Sequence, residues 1–168
     1  IRKKIGVFHQ DFEAQYQMTT DFVYRMFENN IRDIEPFWVC LPMGSRCAIS
    51  NYQIYWYPWD PDKKDLWVRP MPNFPYIINL KNNPFDFYKY KMVQEDLYLE
   101  FGEWYARQKE GKSICLLGIR ADESLNRYRA YANDRKTIMQ GNQWTTKMGE
   151  NWWNAYPIYD WTTKDVWI

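Results

Sequence analysis

The stretch that most restricts the fold is Ser-Ile-Cys-Leu-Leu-Gly-Ile-Arg-Ala-Asp-Glu-Ser-Leu-Asn-Arg at residues 113–127, an apolar run that stops at a glycine and opens into charge. Residues 114–118 are too few for a helix and carry no polar partner, which predicts a strand buried on both faces of a parallel sheet. Arg120, Asp122, Glu123, Ser124 and Arg127 then fall at its mouth. Open α/β sheets bind ligands just outside the carboxyl ends of their strands, so any chemistry is expected here. The plain alternative is a solvated turn in which an Asp or Ser caps a short helix.

Two more runs share this character. Residues 4–9, Lys-Ile-Gly-Val-Phe-His, and 36–41, Pro-Phe-Trp-Val-Cys-Leu, read as buried strands. Between them Phe22, Val23, Met26 and Phe27 recur at helical spacing, with Thr19, Thr20 or Asp21 available as a cap. Strand, helix and strand within some thirty residues make a βαβ unit. The first strand delivers Asp11 and Glu13 to the edge that carries Arg120. The second delivers Gly44, Ser45 and Arg46, where Arg46 and exposed backbone N–H groups are candidates for a phosphate. His9 is the single histidine, a candidate general base or a histidine closing a buried strand.

Residues 49–85 break the rhythm. Tyr52, Tyr55, Trp56, Tyr57, Trp59 and Trp67 crowd around an Asp60-Pro-Asp-Lys-Lys-Asp turn, which predicts a hairpin or an inserted aromatic loop. The rings of residues 52–67 offer a surface for a protein partner or for stacked bases of a nucleic acid, or else a satellite core under a long loop. Prolines 70, 72, 75 and 84 predict an extended, helix-free path over 68–85. A helix is expected over 90–107, with Val93, Leu97, Phe101 and Trp104 on one face and Gly111 ending it. An irregular flap is expected over 127–153, and a final helix opens near Thr162 or Thr163.

Among 168 residues, 22 Lys and Arg nearly cancel 21 Asp and Glu, so no global field argues for nucleic acid or an anionic membrane. Cys40, Cys47 and Cys115 are three, without paired spacing, which points away from a disulfide framework or a zinc site and toward a reducing cytoplasm. No run approaches the length of a membrane span. The chain begins at Ile1, from which a fragment of a longer domain is expected.

Gly118-Ile-Arg-Ala-Asp-Glu-Ser-Leu-Asn-Arg127 resembles the Gly-x-Arg-x-x-x-Ser-x-x-Arg signature of the phosphoadenosine phosphosulfate (PAPS) reductase family. That family lies within the adenine-nucleotide alpha-hydrolase-like group. Residues 154–167, Asn-Ala-Tyr-Pro-Ile-Tyr-Asp-Trp-Thr-Thr-Lys-Asp-Val-Trp, resemble its Pro-Ile-x-x-Trp-x-x-x-Asp-Val-Trp segment. The branch most similar is that of the co-activators of prophage gene expression, on residues 7–16 and the Trp/Pro-rich middle. The resemblance implies a single, incomplete, doubly wound Rossmann-like α/β domain over 1–168, with a mainly parallel sheet of strands near 4–9, 36–41 and 113–118 and the aromatic insertion.

It further implies a site for an ATP- or PAPS-like nucleotide, with or without magnesium, formed by Asp11, Glu13, Arg46, Gly118, Arg120, Glu123, Ser124 and Arg127. Asp11 matches the acidic residue of the family's Asp-Thr-Gly segment, while Phe12 and Glu13 replace Thr-Gly. The family's Ser-Gly-Gly-x-Asp-Ser loop would precede Ile1, and its tail cysteine has no counterpart, so no catalytic residue is assigned. Two functions follow from the resemblance: nucleotide binding of the PAPS-reductase or ATP-pyrophosphatase type, or a co-activator that keeps the fold and binds a partner.

Overall fold

The β-branched and aromatic run near the start of the chain forms β1 (Ile5–Gln10), and the Pro-Phe-Trp run forms β2 (Ile34–Val39). In the computed structural model, which describes residues 3–133 and 135–167, the two pair in parallel from Ile5 opposite Ile34 to Gln10 opposite Val39. Ile1, Arg2, Asp134 and Ile168 therefore lie outside the described residues of the expected domain, Asp134 within its flap. The chain divides into two compact units, Ile1–Gln94 and Glu95–Ile168. It is a mixed α/β protein with a parallel sheet.

In the first unit α1 (Gln17–Asn30) connects β1 to β2 and buries Thr20, Val23 and Phe27 along one stripe. Its cap position is Tyr16, three residues before the earliest expected cap, and gives no side-chain cap. Gln17 Nε2 donating to Asp21 Oδ1 at 2.7 Å and Gln15 Nε2 donating to Thr20 Oγ1 at 2.9 Å stiffen the first turn instead. Phe22, expected on the apolar face, is exposed. The core gathers Val23, Phe27, Ile34, Trp38, Cys40, Trp59 and Ile77. Phe27 meets the Trp38 ring edge-on at 5.8 Å.

Beyond β2, β3 (Ser45–Arg46) pairs antiparallel with β4 (Tyr55–Trp56), so the hairpin closes before the Asp60–Asp65 turn and not around it. That turn is a 3-10 helix, Pro61–Leu66, capped by the Asp60 carboxylate on the Asp62 N–H. The proline-rich path that follows contributes one short strand, β5 (Ile77–Ile78), parallel to β2. The sheet order is β1-β2-β5.

Helix α2 (Gln94–Gln108) carries the acid-first, base-last charge pattern and buries Leu97, Gly102, Trp104 and Ala106. Gly102 is demanded by packing, because a Cβ there would overlap the Trp152 indole. The helix starts four residues later than expected and ends at Gln108, one past the expected Arg107; Glu110, at φ 50°, takes the left-handed position in place of Gly111, with Gly111 N–H bonded to Ala106 O and Glu110 N–H to Arg107 O.

Strand β6 (Ser113–Leu116) follows. The 127–153 stretch, expected to be irregular, instead contains most of α3 (Leu125–Ala132), then β7 (Thr145–Lys147) and the start of β8 (Trp152–Ala155). β6 pairs in parallel with β8, and β7 antiparallel with it, giving the order β6-β8-β7. β6 is thus an edge strand of its sheet. Its expected burial on both faces is not realised, since Ile114 and Leu116 are 50% and 69% exposed. The last helix, α4 (Thr163–Val166), opens on a capping box in which Asp165 Oδ2 accepts from Thr162 N–H at 2.6 Å. No helix among the described residues is long and apolar enough to cross a membrane.

Candidate functional site

At the mouth of β6 the chain leaves the sheet through Gly118, turns through a 3-10 helix at Ala121–Glu123 and enters α3, whose cap is Ser124: its Oγ accepts from Arg127 N–H at 3.2 Å. Gly118 is not needed for space, since a Cβ there would meet Ile158 at an ordinary 3.8 Å. The turn is anchored by Ala121 N–H donating to Tyr159 O at 2.8 Å, while Leu117 N–H donates to Ala155 O at 2.9 Å. The 118–127 and 154–167 segments are thereby laid side by side, and Tyr131 stacks on Tyr159 at 4.1 Å.

The path of this turn sets the electrostatics. Arg120 and Ser124 are extended on either side of the 3-10 turn, and the reversal between them brings the side chains of residues 120, 123 and 127 together. Arg120 Nε pairs with Glu123 Oε1 at 3.2 Å, and Arg127 pairs with Glu123 Oε2. Arg120 is the most enclosed of the three, its side chain 14% exposed against 26% for Glu123 and 47% for Arg127, and its Nη1 is buried without a hydrogen-bond partner. Asp165 is held below the usual carboxylate range, first by the Thr162 hydroxyl and N–H and then by the Arg120 charge. Beside this cluster an open cavity of about 370 Å³ is lined by Ala121, Asp122, Tyr128, Tyr159 and Trp161 among others. Such an arrangement can hold a tetrahedral oxyanion on guanidinium groups with aromatic rings nearby.

The mouth of β1 is built differently. Asp11 is fully buried, and its carboxylate accepts from Trp38 Nε1 at 2.8 Å, Glu13 N–H at 2.8 Å and Arg69 Nη2 at 2.5 Å. Glu13, at φ 64°, accepts from Trp59 N–H at 3.0 Å and from Val68 N–H at 2.9 Å. Arg69 returns to Glu13 O through Nε at 2.8 Å and lies over the Trp59 ring at 5.1 Å. Trp59 Nε1 closes the network on Asp11 O at 2.9 Å. The two carboxylates that the sequence placed toward a ligand therefore tie β1 to the segment of Trp59 to Arg69, and ligand does not reach Asp11 in this conformation.

Arg46 is exposed on β3, and the Gly44-Ser45 backbone is committed elsewhere: Gly44 N–H donates to Met92 O at 2.8 Å, and Ser45 Oγ donates to Gln94 at 3.1 Å. His9 is pushed below its ordinary pKa by burial, packed edge-on to Trp38 at 5.0 Å. Burial pushes the Cys40 thiol up, away from the thiolate form a nucleophile needs, while Cys115 is exposed on β6. Among the described residues no cluster of three or more His, Cys, Asp or Glu side chains is placed to hold a metal ion.

Sequence reasoning missed Arg69, Trp38 and a third buried acid, Asp60, which accepts from Tyr90 OH at 2.9 Å and pairs with Lys91 at 2.8 Å. Lys91 Nζ also lies over the Tyr57 and Tyr90 rings at 5.3 and 5.0 Å. A sequence signal was present for these: three prolines follow Arg69 closely, and Asp60 stands between Trp59 and Pro61. Trp59, proposed for partner contact, is 1% exposed, and Trp67 donates through Nε1 to Asp60 O at 3.0 Å. The tryptophans of residues 52–67 thus serve largely as core. Ile49, Tyr52, Ile54 and Leu66 are exposed apolar side chains of the region.

No family model matches the chain, and no solved structure matches it. The chain is similar to uncharacterized protein YbdN of Escherichia coli (strain K12), 37% identical over 170 residues, a match that takes in 98% of this chain and 40% of the length of that relative.

Proposed function

We propose that the mouth of β6 binds the phosphate or sulfate of an adenine nucleotide, ATP- or PAPS-like, with Arg120 and Arg127 as the oxyanion holders. The reading places the chain in a PAPS reductase-like, doubly wound α/β domain, on the two segments that resemble that family. The observation that carries it is their juxtaposition: 118–127 lies against 154–167, with two guanidinium groups and a buried, unpartnered Arg120 Nη1 on the turn whose Ala121 and Asp122 line a cavity with Tyr128, Tyr159, Asp160 and Trp161. Tyr128, Tyr159 and Trp161 supply ring faces on which a base can stack. Asp11 and Glu13 contribute by holding the β1 mouth together and not by direct contact. Reductase chemistry is the less favoured activity, because the buried Cys40 thiol is pushed up, away from the thiolate that attack requires. Titration calorimetry with ATP and with PAPS tests the reading: Arg120→Ala should weaken binding by about 1.5–3 kcal/mol, the range for a hydrogen bond to a charged group. Unchanged affinity for both nucleotides would refute it.

A second reading, a co-activator of prophage gene expression acting through a partner, is favoured by the exposed tip of Ile49, Tyr52 and Ile54. On that reading Ile49→Ser with Tyr52→Ser silences a prophage-gene reporter and leaves ATP affinity as it was. Full reporter activity in the double variant would exclude the tip.

A further inference from the structure

The two arginines of the β6 mouth are not vacant. One carboxylate, that of Glu123, already bridges them, one oxygen on Arg120 Nε and the other on Arg127. Two oxygens shared between two guanidinium groups is also how a sulfate or phosphate would be held, so the acid stands where the anion would go. We propose, resting on the reading of this pair as an oxyanion site, that Glu123 is a displaceable internal occupant which makes the site selective for tetrahedral dianions.

The neighbouring acid does not fill this role. Asp165 is fastened by the Thr162 N–H at 2.6 Å and the Thr162 hydroxyl at 2.7 Å, so it is tied into the start of α4. Glu123 is the last residue of a short 3-10 turn, its side chain 26% exposed, and can swing into solvent without breaking a backbone bond. Its departure leaves two positive charges. A monoanion that replaces it restores no more charge than the carboxylate did and gains little. A dianion neutralises both guanidinium groups and also offers oxygens to Arg120 Nη1, which is buried without a partner. Selection therefore follows from charge count, with the internal carboxylate setting the threshold.

The experiment compares the whole chain with Glu123→Gln and Glu123→Asp, titrated with sodium sulfate, sodium acetate and ATP at constant ionic strength, with circular dichroism to confirm folding. The expected result is that Glu123→Gln binds sulfate about two- to fivefold tighter, since a partly exposed ion pair no longer competes, and that acetate becomes detectable where the parent binds none. Glu123→Asp, whose shorter arm reaches one arginine at a time, falls between and keeps the result interpretable if the Gln variant folds poorly. Sulfate binding that is unchanged, absent or weaker in both variants overturns the proposal and makes Glu123 a brace for the arginines. The ATP arm separates the two readings. Tighter sulfate with no ATP binding in any variant leaves the displaceable occupant standing and removes the nucleotide; ATP binding by the parent without tighter sulfate in the variants does the opposite.

Discussion

Arg69→Met isolates the ion pair that locks the mouth of β1. Asp11 is fully buried and the Arg69 side chain is 13% exposed, so the change removes the cation from a carboxylate that water does not reach. Three contributions are lost: the charge-assisted bond to Asp11 at 2.5 Å, the Nε–H bond to Glu13 O at 2.8 Å, and the cation above the Trp59 ring at 5.1 Å. Methionine keeps most of the apolar stem, so packing loss is small beside the charge effect. Breaking a buried pair from one side costs about 3–5 kcal/mol, because the remaining charge is uncompensated. Trp38 and the Glu13 N–H still bond to Asp11 and hold the cost inside that range. With a urea slope of about 2 kcal/mol per molar, the unfolding midpoint falls by roughly 2 M, followed by tryptophan fluorescence. Adding Asp11→Asn should restore part of the loss, since a neutral amide needs no counter-charge, and the double variant should lie at least about 1 kcal/mol above additivity. A loss under about 1 kcal/mol for Arg69→Met, or strict additivity, would refute the reasoning.

The Asp60 site predicts an acid-dependent stability. Burial pulls its carboxyl pKa up, but the Lys91, Tyr90 and Asp62 N–H bonds outweigh this and leave it below the usual range. A depressed folded pKa means that the contribution is present above the unfolded value near 4 and is lost as pH falls through the folded value. Asp60→Asn should therefore cost about 1–3 kcal/mol at pH 7 and progressively less below pH 4, measured as the gap between the two unfolding curves; a gap that is flat across acid pH would count against the account.

How much of this was legible follows from the range of the interactions. Several elements declared themselves through short-range periodicity: β1 and β2 sit within two residues of their expected positions, and the α4 cap, Thr162, is one of the two that were read. The 118–127 cluster was legible as charged residues gathered just past a predicted strand, which placed Arg120, Glu123 and Arg127 together at its mouth. That Glu123 would bridge the two arginines was not separable from a salt-bridged surface turn. The environment of β6 was misread, because an apolar tetrapeptide has the same composition at a sheet edge as at its centre. α3 was hidden in a stretch rich in Tyr, Asn and Arg with a weak apolar stripe and no buried residue. The Asp11 network was beyond local reading, since its partners stand 27, 48 and 58 residues away.

That network also explains why the acidic edge of β1 became scaffold. Glu13 and Trp59 both hold left-handed backbone angles, φ 64° and 56°, without being glycine, and each such residue costs on the order of 1 kcal/mol or more. They are joined by one hydrogen bond, Trp59 N–H to Glu13 Oε2, while the other Glu13 oxygen takes the Val68 N–H, so each strained residue is fixed by the other's bonding. Glu13 supplies a second carboxylate that reaches two backbone donors across the loop, and the Phe12 ring meets Trp56 at 6.5 Å, so the strand end is built as a clamp. Recruiting Asp11 to a ribose would mean releasing Arg69 and Trp38 together, whereas at β6 the arginines need release only one side chain.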